Sequence, residues 1–332
     1  MKKRLVYLVF FAFLFAACST DFNINAEWKE ITVVYGLLNQ NETTHYIKIN
    51  KAFLGDGNAL TMAQVEDSSS YFNNLEVKVE EWKNGSMTNS YPCDTTTIYN
   101  KEPGVFYYPK QILYKFNATL YEDRTYKLSI KNKISGKLIT SETPMVYSFV
   151  LTKPISTSVG FSASSNTQMD AKWESAINGR RYQLNIRFPY KEVNLSPPYD
   201  TTNLYVDWQF PAIKSTALSG GEGMITSYTG KGFFTNLANR IPVNPGVNRF
   251  PGDGVTYSVE FIISVAGDDL NTYMEVSEPS TGIVQEKPGY TNINNGIGIF
   301  SCRYTKVVNL KLTGNTVTDL LNSSITGNLG FK

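Results

Sequence analysis

Short segments in which apolar and polar side chains alternate recur along the chain, and they constrain the fold more than any other feature. The alternation is clear over residues 75–80, 182–188 and 257–265, where every second side chain is aliphatic or aromatic. A period of two residues is that of a β-strand with one face in a core and one in water. Asn84-Gly85 adds a strong hairpin signal, because both residues tolerate a positive φ. The pattern predicts an all-β protein.

The same reasoning predicts further strands, and only a few short helices in the second half of the chain. The additional strands are expected near residues 30–38, 44–53, 95–99, 105–108, 125–131, 137–142, 169–173, 203–210 and 297–312. Short helices are expected near residues 233–239, 268–277 and 316–321, with Asp268 and Asp269 capping the second of them. Residues 218–254 are rich in Gly, Asn and Pro and otherwise predict loops.

A chain of 332 residues is long enough for two domains. Thr152-Lys153-Pro154 follows a predicted strand and precedes a segment rich in Ser, Gly and Asn, so we place the boundary there. Residues 29–152 are predicted to form an N-terminal β-sandwich, immunoglobulin-like or transthyretin-like. Residues 153–332 are predicted to form a second β-sandwich domain that also carries one or two short helices.

The N-terminal segment has the pattern of a lipoprotein signal peptide. Three basic residues at positions 2–4 precede an apolar run over residues 5–17, which is too short to span a bilayer comfortably. Ala16 and Ala17 stand directly before Cys18, as in a lipobox, although Phe15 replaces the more usual Leu. We therefore predict a signal peptide over residues 1–17, lipidation of Cys18 and a tether over residues 18–28. An ordinary secretory signal is the alternative.

The acid nearest to the predicted lipidation site is Asp21, at the fourth mature position. An acid at the second mature position would be the simplest signal for retention in the inner membrane, so the pattern favours the outer membrane. Whether the protein faces the periplasm or the cell surface stays open. The chain has 31 basic and 29 acidic residues and no basic cluster. Nucleic acid is therefore not an expected partner.

Residues that could carry chemistry are few. His45 is the only histidine, and no Cys-x-x-Cys pair exists, so we predict no metal, cofactor or catalytic site. The alternation around His45 places it beside Ile47 and Ile49, as a partly buried strand residue. Cys93 and Cys302 lie in different predicted domains. Two free thiols are favoured over a disulfide between them, and Cys302 is expected to point into a core.

Three further features suggest ligands without defining a site. The glycine-rich residues 220–223 lack the flanking strand and helix of a phosphate loop, so they predict a surface loop. Residues 105–109 could offer an aromatic surface to a glycan. A glycosidase needs two opposed carboxyl groups, and no spacing in the sequence fixes such a pair among the clustered acids Asp253, Asp268, Asp269 and Glu278.

Residues 290–300 contain the pattern Asn-Ile-x-x-Gly-x-Gly-x-Phe, from Asn292 to Phe300, after a predicted helix. This segment resembles a feature of Gram-negative outer-membrane lipoproteins that carry a domain of unknown function and are often linked to TonB-dependent receptors. The resemblance implies an accessory or binding role, and it supplies no functional residues. The glycines at positions 296 and 298 predict the close approach of another backbone or of a bulky side chain.

The sequence thus leads to three hypotheses about function. The first is a lipid-anchored outer-membrane protein with a non-catalytic binding or accessory role, its partner being a β-barrel receptor or a glycan. The second is a fimbrial or adhesive subunit. No arginine for processing occurs between Cys18 and Arg124, which counts against it. The third is a carbohydrate-active enzyme.

Overall fold

The computed structural model describes residues 30–52, 59–252, 256–278 and 289–332. Strands make up 51% and helices 13%, so the prediction of a mostly β protein with few helices is confirmed. Two short helices, Ala59–Ala63 and Glu66–Ser69, lie in the first half of the chain, where no helix was predicted. The predicted signal peptide, Cys18, the tether and Asp253 lie outside the described residues. No helix in the described ranges is long and apolar enough to cross a membrane.

The described strands are β1 (Ile31–Asn39), β2 (Thr44–Ala52), β3 (Leu75–Lys83), β4 (Ser86–Pro92), β5 (Asp94–Ile98), β6 (Gln111–Asn117), β7 (Thr125–Asn132), β8 (Leu138–Pro144), β9 (Leu151–Lys153), β10 (Ser158–Val159), β11 (Gln168–Glu174), β12 (Gly179–Asn194), β13 (Thr201–Gln209), β14 (Ile213–Lys214), β15 (Gly223–Thr229), β16 (Val247–Pro251), β17 (Ser258–Gly267) and β18 (Gly296–Leu312). The described helices are α1 (Ala59–Ala63), α2 (Glu66–Ser69), α3 (Gly230–Arg240), α4 (Asp268–Ser277) and α5 (Gly314–Asn322).

One large sheet runs through both halves of the chain. Its strand order is β13-β12-β17-β18-β1-β2-β6-β5, with β10 beside β18 and with β14 and β16 beside β12. β1 pairs in parallel with β18 and antiparallel with β2. The predicted boundary after residue 152 therefore lies between segments that contribute strands to the same sheet.

Two smaller sheets pack on one face of the large sheet. The sheet β4-β3-β7-β8 covers the N-terminal strands, where Tyr91 of β4 stacks on Phe116 of β6 with 5.7 Å between ring centroids. The sheet β15-β11-β9 covers the C-terminal strands, where Tyr228 of β15 meets Phe261 of β17. Helix α3 joins this second layer through Phe233, which contacts Phe188 of β12. Most of the buried apolar side chains form one continuous cluster.

Glycines make the central β1–β18 pairing possible, as the sequence predicts. A Cβ added to Gly298, whose φ is +111°, would lie 2.0 Å from the carbonyl oxygen of Val34. In the same strand pair, a Cβ on Gly36 would lie 2.9 Å from the ring of Phe300. Each strand therefore has a glycine where its neighbour approaches most closely.

Most predicted elements are found within a few residues of their expected limits, and the Asn84-Gly85 hairpin is confirmed by φ values of +49° and +80°. Residues 105–108 form no strand, and the strand nearest to them, β6, begins only at Gln111. The predicted loop region at 218–254 contains β15, α3 and β16. Gly267, not an aspartate, is the N-cap of α4, and Asp268 and Asp269 occupy its first turn.

Candidate functional site

The face of the large sheet opposite the two smaller sheets is open in its C-terminal half. Along β12, Tyr182, Leu184 and Ile186 are buried, whereas Gln183 and Asn185 between them are partly exposed. β13, β17 and β18 likewise place polar or partly exposed side chains on this face. An antiparallel sheet commonly has one face in the core and one in water. Here the exposed face is shaped into a groove.

The groove has a volume of about 410 Å³, and we refer to it as the sheet groove. Its lining side chains come from four adjacent strands and are mostly amides, hydroxyls and charged groups: Gln183, Asn185, Arg187, Asp207, Gln209, Glu260, Ile262, Ser264, Thr305 and Val307. The register of the strands brings them together, because Asn185 lies opposite both Gln209 and Ile262, and Ile262 lies opposite Val307.

A bonded network lies along one side of the sheet groove. Arg187 donates from Nε and Nη2 to the two carboxylate oxygens of Asp207, at 2.8 and 3.0 Å. Asn185 donates to the same carboxylate at 2.9 Å. The guanidinium group lies 4.1 Å from the ring centroid of Tyr205, whose ring is 59% exposed. This geometry combines a bidentate ion pair with cation–π stacking, and it holds the four side chains in place.

The network has a definite charge state. The hydrogen bonds between Arg187 and Asp207 are the main cause of two pKa shifts: they lower the pKa of Asp207 and raise the pKa of Arg187. Both groups therefore stay ionised near neutral pH, and they balance each other. A carboxylate held this way is a hydrogen-bond acceptor and a poor proton donor.

One polar atom of the groove lacks a partner. The Oδ1 atom of Asn185 is buried and accepts no hydrogen bond in the described structure. Buried polar atoms are almost always satisfied, so such an atom is a point where a ligand or water can donate. Gln183, by contrast, uses its amide nitrogen to bind the carbonyl of Phe210 at 3.1 Å. These amide groups suit a ligand that carries hydroxyl or amide groups.

The segment from Asn292 to Phe300 has a structural role next to a second groove. The side chain of Asn292 accepts from the backbone nitrogen of Phe300 at 3.0 Å and donates to its carbonyl at 2.7 Å. The backbone carbonyl of Asn292 accepts from Ser141 of β8, and its amide also donates to Asp269 of α4. The segment therefore ties β8, α4 and β18 together.

The adjacent groove, of about 550 Å³, is lined by Glu80, Lys127, Thr140 and Glu142 among others.

The remaining residues considered from the sequence are mostly structural. His45 lies in β2, as predicted, but it is 1% exposed and so is fully rather than partly buried, with its Nε2 atom 3.0 Å from the carbonyl of Ala118. Cys93 and Cys302 are both free, and Cys302 is buried as expected. Burial raises the pKa of the Cys302 thiol to about 11, which makes it a weak nucleophile. Within the described ranges, no cluster of His, Cys, Asp or Glu side chains could hold a metal ion.

Of the acids considered as a glycosidase pair, the three that the structure describes have structural partners. Asp268 is 2.7 Å from Nε of Arg180, and Glu278 is 2.8 Å from Arg181. Asp269 accepts from Tyr290 and Asn292. None of these acids lines the sheet groove.

The aromatic segment at 105–109 and the glycine-rich loop lie away from the sheet groove. Val105, Phe106 and Tyr108 are exposed on the connection between β5 and β6. Gly220 and Gly221 have positive φ values just before β15. Sequence reasoning treated residues 183, 185 and 187 only as the polar half of an alternation. Their planar amide and guanidinium groups were the one signal in the sequence that could have indicated a binding site. Their clustering with Asp207 depends on the pairing of β12 with β13.

No protein-family model matches this chain, and no curated protein is similar enough to it to count as a relative.

Proposed function

We propose that the protein is a lipid-anchored outer-membrane protein with a non-catalytic binding role, and that its ligand binds in the sheet groove. The observation that carries the proposal is the groove itself, where four strands present a fixed ion pair and amides, with the exposed Tyr205 stacked on Arg187 beside it. Such a surface orients a ligand by hydrogen bonds and stacking.

The chemistry of the groove favours a neutral, hydroxyl-rich ligand such as a glycan. Asp207 and Arg187 neutralise each other, so the pair offers hydrogen bonds without a net charge, and the third charged group of the lining, Glu260, disfavours an anionic ligand. Amide groups of Asn185 and Gln209 can both donate and accept. The exposed ring of Tyr205 offers an apolar face on which a sugar ring can stack. A receptor loop that carries similar polar groups is the other candidate partner.

Attachment to the membrane rests on the sequence before the folded region. Cys18 follows an apolar run and two alanines, and each buried CH₂ of an acyl chain contributes about 0.8 kcal/mol of membrane affinity. Fully extended, the link from Cys18 to Glu30 spans at most roughly 40 Å, at about 3.3–3.6 Å per residue. The folded region would therefore stay close to the membrane surface.

We also propose a finer architecture for the fold. Residues 29–152 and 153–332 form two β-sandwiches that share the large sheet, and the first of them is immunoglobulin-like. The hydroxyl of Tyr126, at the start of β7, accepts from the backbone nitrogen of Tyr121 at 3.0 Å. A tyrosine bonded to the chain just upstream of its strand is typical of immunoglobulin-like domains.

The anchor is tested by replacing Cys18 with Ala and following the protein through membrane fractionation. We expect the variant to leave the membrane fraction and to lose incorporation of radiolabelled palmitate. Unchanged partitioning of the variant would refute the anchor.

The groove is tested by affinity purification from native membranes in mild detergent, followed by mass spectrometry and by screening of the purified protein on a glycan array. Asn185→Ala should weaken binding of any glycan or receptor found. Asn203→Ala is the matched control, because it removes an exposed asparagine from β13 outside the groove lining. Equal effects of the two variants would contradict binding in the sheet groove. A ladder of the protein alone would instead favour the fimbrial hypothesis.

A further inference from the structure

The chain enters the fold at one end of the large sheet. β1 begins at Ile31, and its register places Ile31 opposite Ala52, the last residue of β2. The start of β18 lies at the same end, because the parallel register places Thr32 beside Gly296. A tether from Cys18 therefore leaves the molecule at the end where β1 and β18 begin and β2 ends. We call this the tether end.

The exposed aromatic segment lies at the tether end. β6 pairs antiparallel with β2, with Ile47 opposite Tyr114, so its first residue, Gln111, lies toward the end of β2. β5 ends opposite Gln111, and the connection that follows it projects from this end. The backbone nitrogen of Tyr107 binds the carbonyl of Ala63 at 2.9 Å, which fixes the connection against α1.

The hairpin between β7 and β8 also lies at the tether end, beside the start of β1. Asn132, the last residue of β7, donates to the carboxylate of Glu30 at 3.1 Å, directly beside the start of β1. The backbone nitrogen of Lys133 binds the carbonyl of Asn74 at 2.8 Å, so the hairpin is held at its base. Its tip carries Ile134, which is 77% exposed.

Exposed apolar side chains thus lie on two connections at the end where the tether leaves. Six of them define what we call the anchor-end surface: Tyr99, Val105, Phe106, Tyr108, Ile134 and Leu138, all exposed. Such concentrations of exposed apolar side chains mark interaction sites in soluble proteins.

The surface also has the composition of a membrane-interface segment. Tyrosines with an apolar ring and a polar tip are favoured at the headgroup level of a bilayer. Lys133 and Lys137 flank Ile134, and the ammonium group of Lys101 lies 5.9 Å from the ring centroid of Phe106. Lysines next to apolar side chains can reach lipid phosphates while their stems stay apolar.

We infer that the anchor-end surface rests on the lipid headgroups of the membrane in which Cys18 is anchored. This inference depends on the proposed function for the lipid anchor. A lipid surface is the partner that fits, because the link of eleven residues between Cys18 and Glu30 starts in the membrane and ends at the tether end, beside the β7–β8 hairpin. The aromatic connection and the hairpin enter the interface around the tether.

The test uses the mature, acylated protein in vesicles of phosphatidylethanolamine and phosphatidylglycerol. A bimane label is attached to Val105→Cys, to Ile134→Cys or to Met87→Cys, and lipids with a nitroxide near the headgroup serve as quenchers. Met87 is the control, because it is 54% exposed and lies beside the β3–β4 turn, opposite the tether end. Labelling of the unsubstituted protein, in which Cys93 and Cys302 are free, gives the background.

We expect nitroxide lipids to quench the labels at 105 and 134 and to leave the label at 87 at its lipid-free intensity. Replacing Phe106 and Leu138 together by Asp should abolish quenching at 134, while the protein still co-sediments with the vesicles. Co-sedimentation with no quenching at 105 and 134, or with equal quenching at 87, would overturn the docking and leave the anchor intact. Failure of the acylated protein to co-sediment would overturn the anchor itself and the docking with it.

Discussion

Arg249 is the largest charged side chain in the core, and its replacement by Met should destabilise the protein strongly. It is 1% exposed, and its Nε and Nη2 atoms lie 2.9 and 2.8 Å from Oε2 of Glu192. Its Nη1 atom donates to the carbonyl of Leu329 at 2.5 Å. The backbone of Arg249 also pairs with Gly330 and Lys332, so the residue fastens the C-terminal segment to β16.

The size of the effect follows from what the substitution leaves behind. Removing one partner of a buried ion pair costs about 3–5 kcal/mol. The side chain of Glu192 is 24% exposed, so water recovers part of its solvation, and the lower end of that range applies. We therefore expect Arg249→Met to lower the free energy of unfolding by about 3 kcal/mol. Methionine keeps most of the side-chain length, so the loss reports mainly on the polar contacts.

Urea unfolding followed by tryptophan fluorescence measures this effect, and release of residues 329–332 by a carboxypeptidase reports on the tail. Arg303→Met is the matched control, because Arg303 pairs with Glu42 on the surface and both side chains are about half exposed. We expect the control to change stability by less than about 1 kcal/mol. Adding Glu192→Gln to Arg249→Met should restore part of the loss, since it removes the unpaired charge. A loss no larger than that of the control would refute the role given to Arg249.

Two further predictions concern the central sheet and its single histidine. Gly298→Ala should lower the free energy of unfolding by about 3 kcal/mol or more, because its Cβ would overlap the carbonyl of Val34 in a backbone with positive φ. Gly314→Ala is the control, because a Cβ at that position meets no neighbour. Equal melting temperatures of the two variants would contradict this account. Burial lowers the pKa of His45 below its ordinary value, so the unfolded chain binds the proton more readily. Stability should therefore fall as the pH drops below about 6.5 toward the lowered pKa. His45→Phe should flatten that dependence in urea titrations at several pH values, and an unchanged slope would show that other groups cause it.

The strands with strict alternation could be predicted from the sequence, because their local pattern reports burial directly. β17 was placed within two residues of its ends, and helix α4 was placed at its ends. β6 was missed because Ile112 and Leu113 are adjacent, so the segment does not alternate clearly. The aromatic residues at 105–108 have high β-propensity, yet they form an exposed connection flanked by Pro103 and Pro109.

Contacts between distant segments could not be predicted in this way. The glycines at 296 and 298 signalled a close neighbour, but nothing local to them identifies that neighbour as β1. The sheet groove has the same origin. Asn185 and Asp207 each look like ordinary solvent-facing residues of a strand, and only the pairing of β12 with β13 makes them one network.

The two proposed surfaces are related through β18, which runs from one to the other. Gly296 lies at the tether end, and Thr305 and Val307 line the sheet groove. Thr305 lies nine positions after Gly296 along the strand, a distance of roughly 30 Å at about 3.3 Å per residue. If the anchor-end surface rests on the headgroups, the groove is held well above them on a rigid strand. A soluble glycan or the loop of a neighbouring receptor can then reach the groove without competing with the membrane, so the two proposals are mutually consistent.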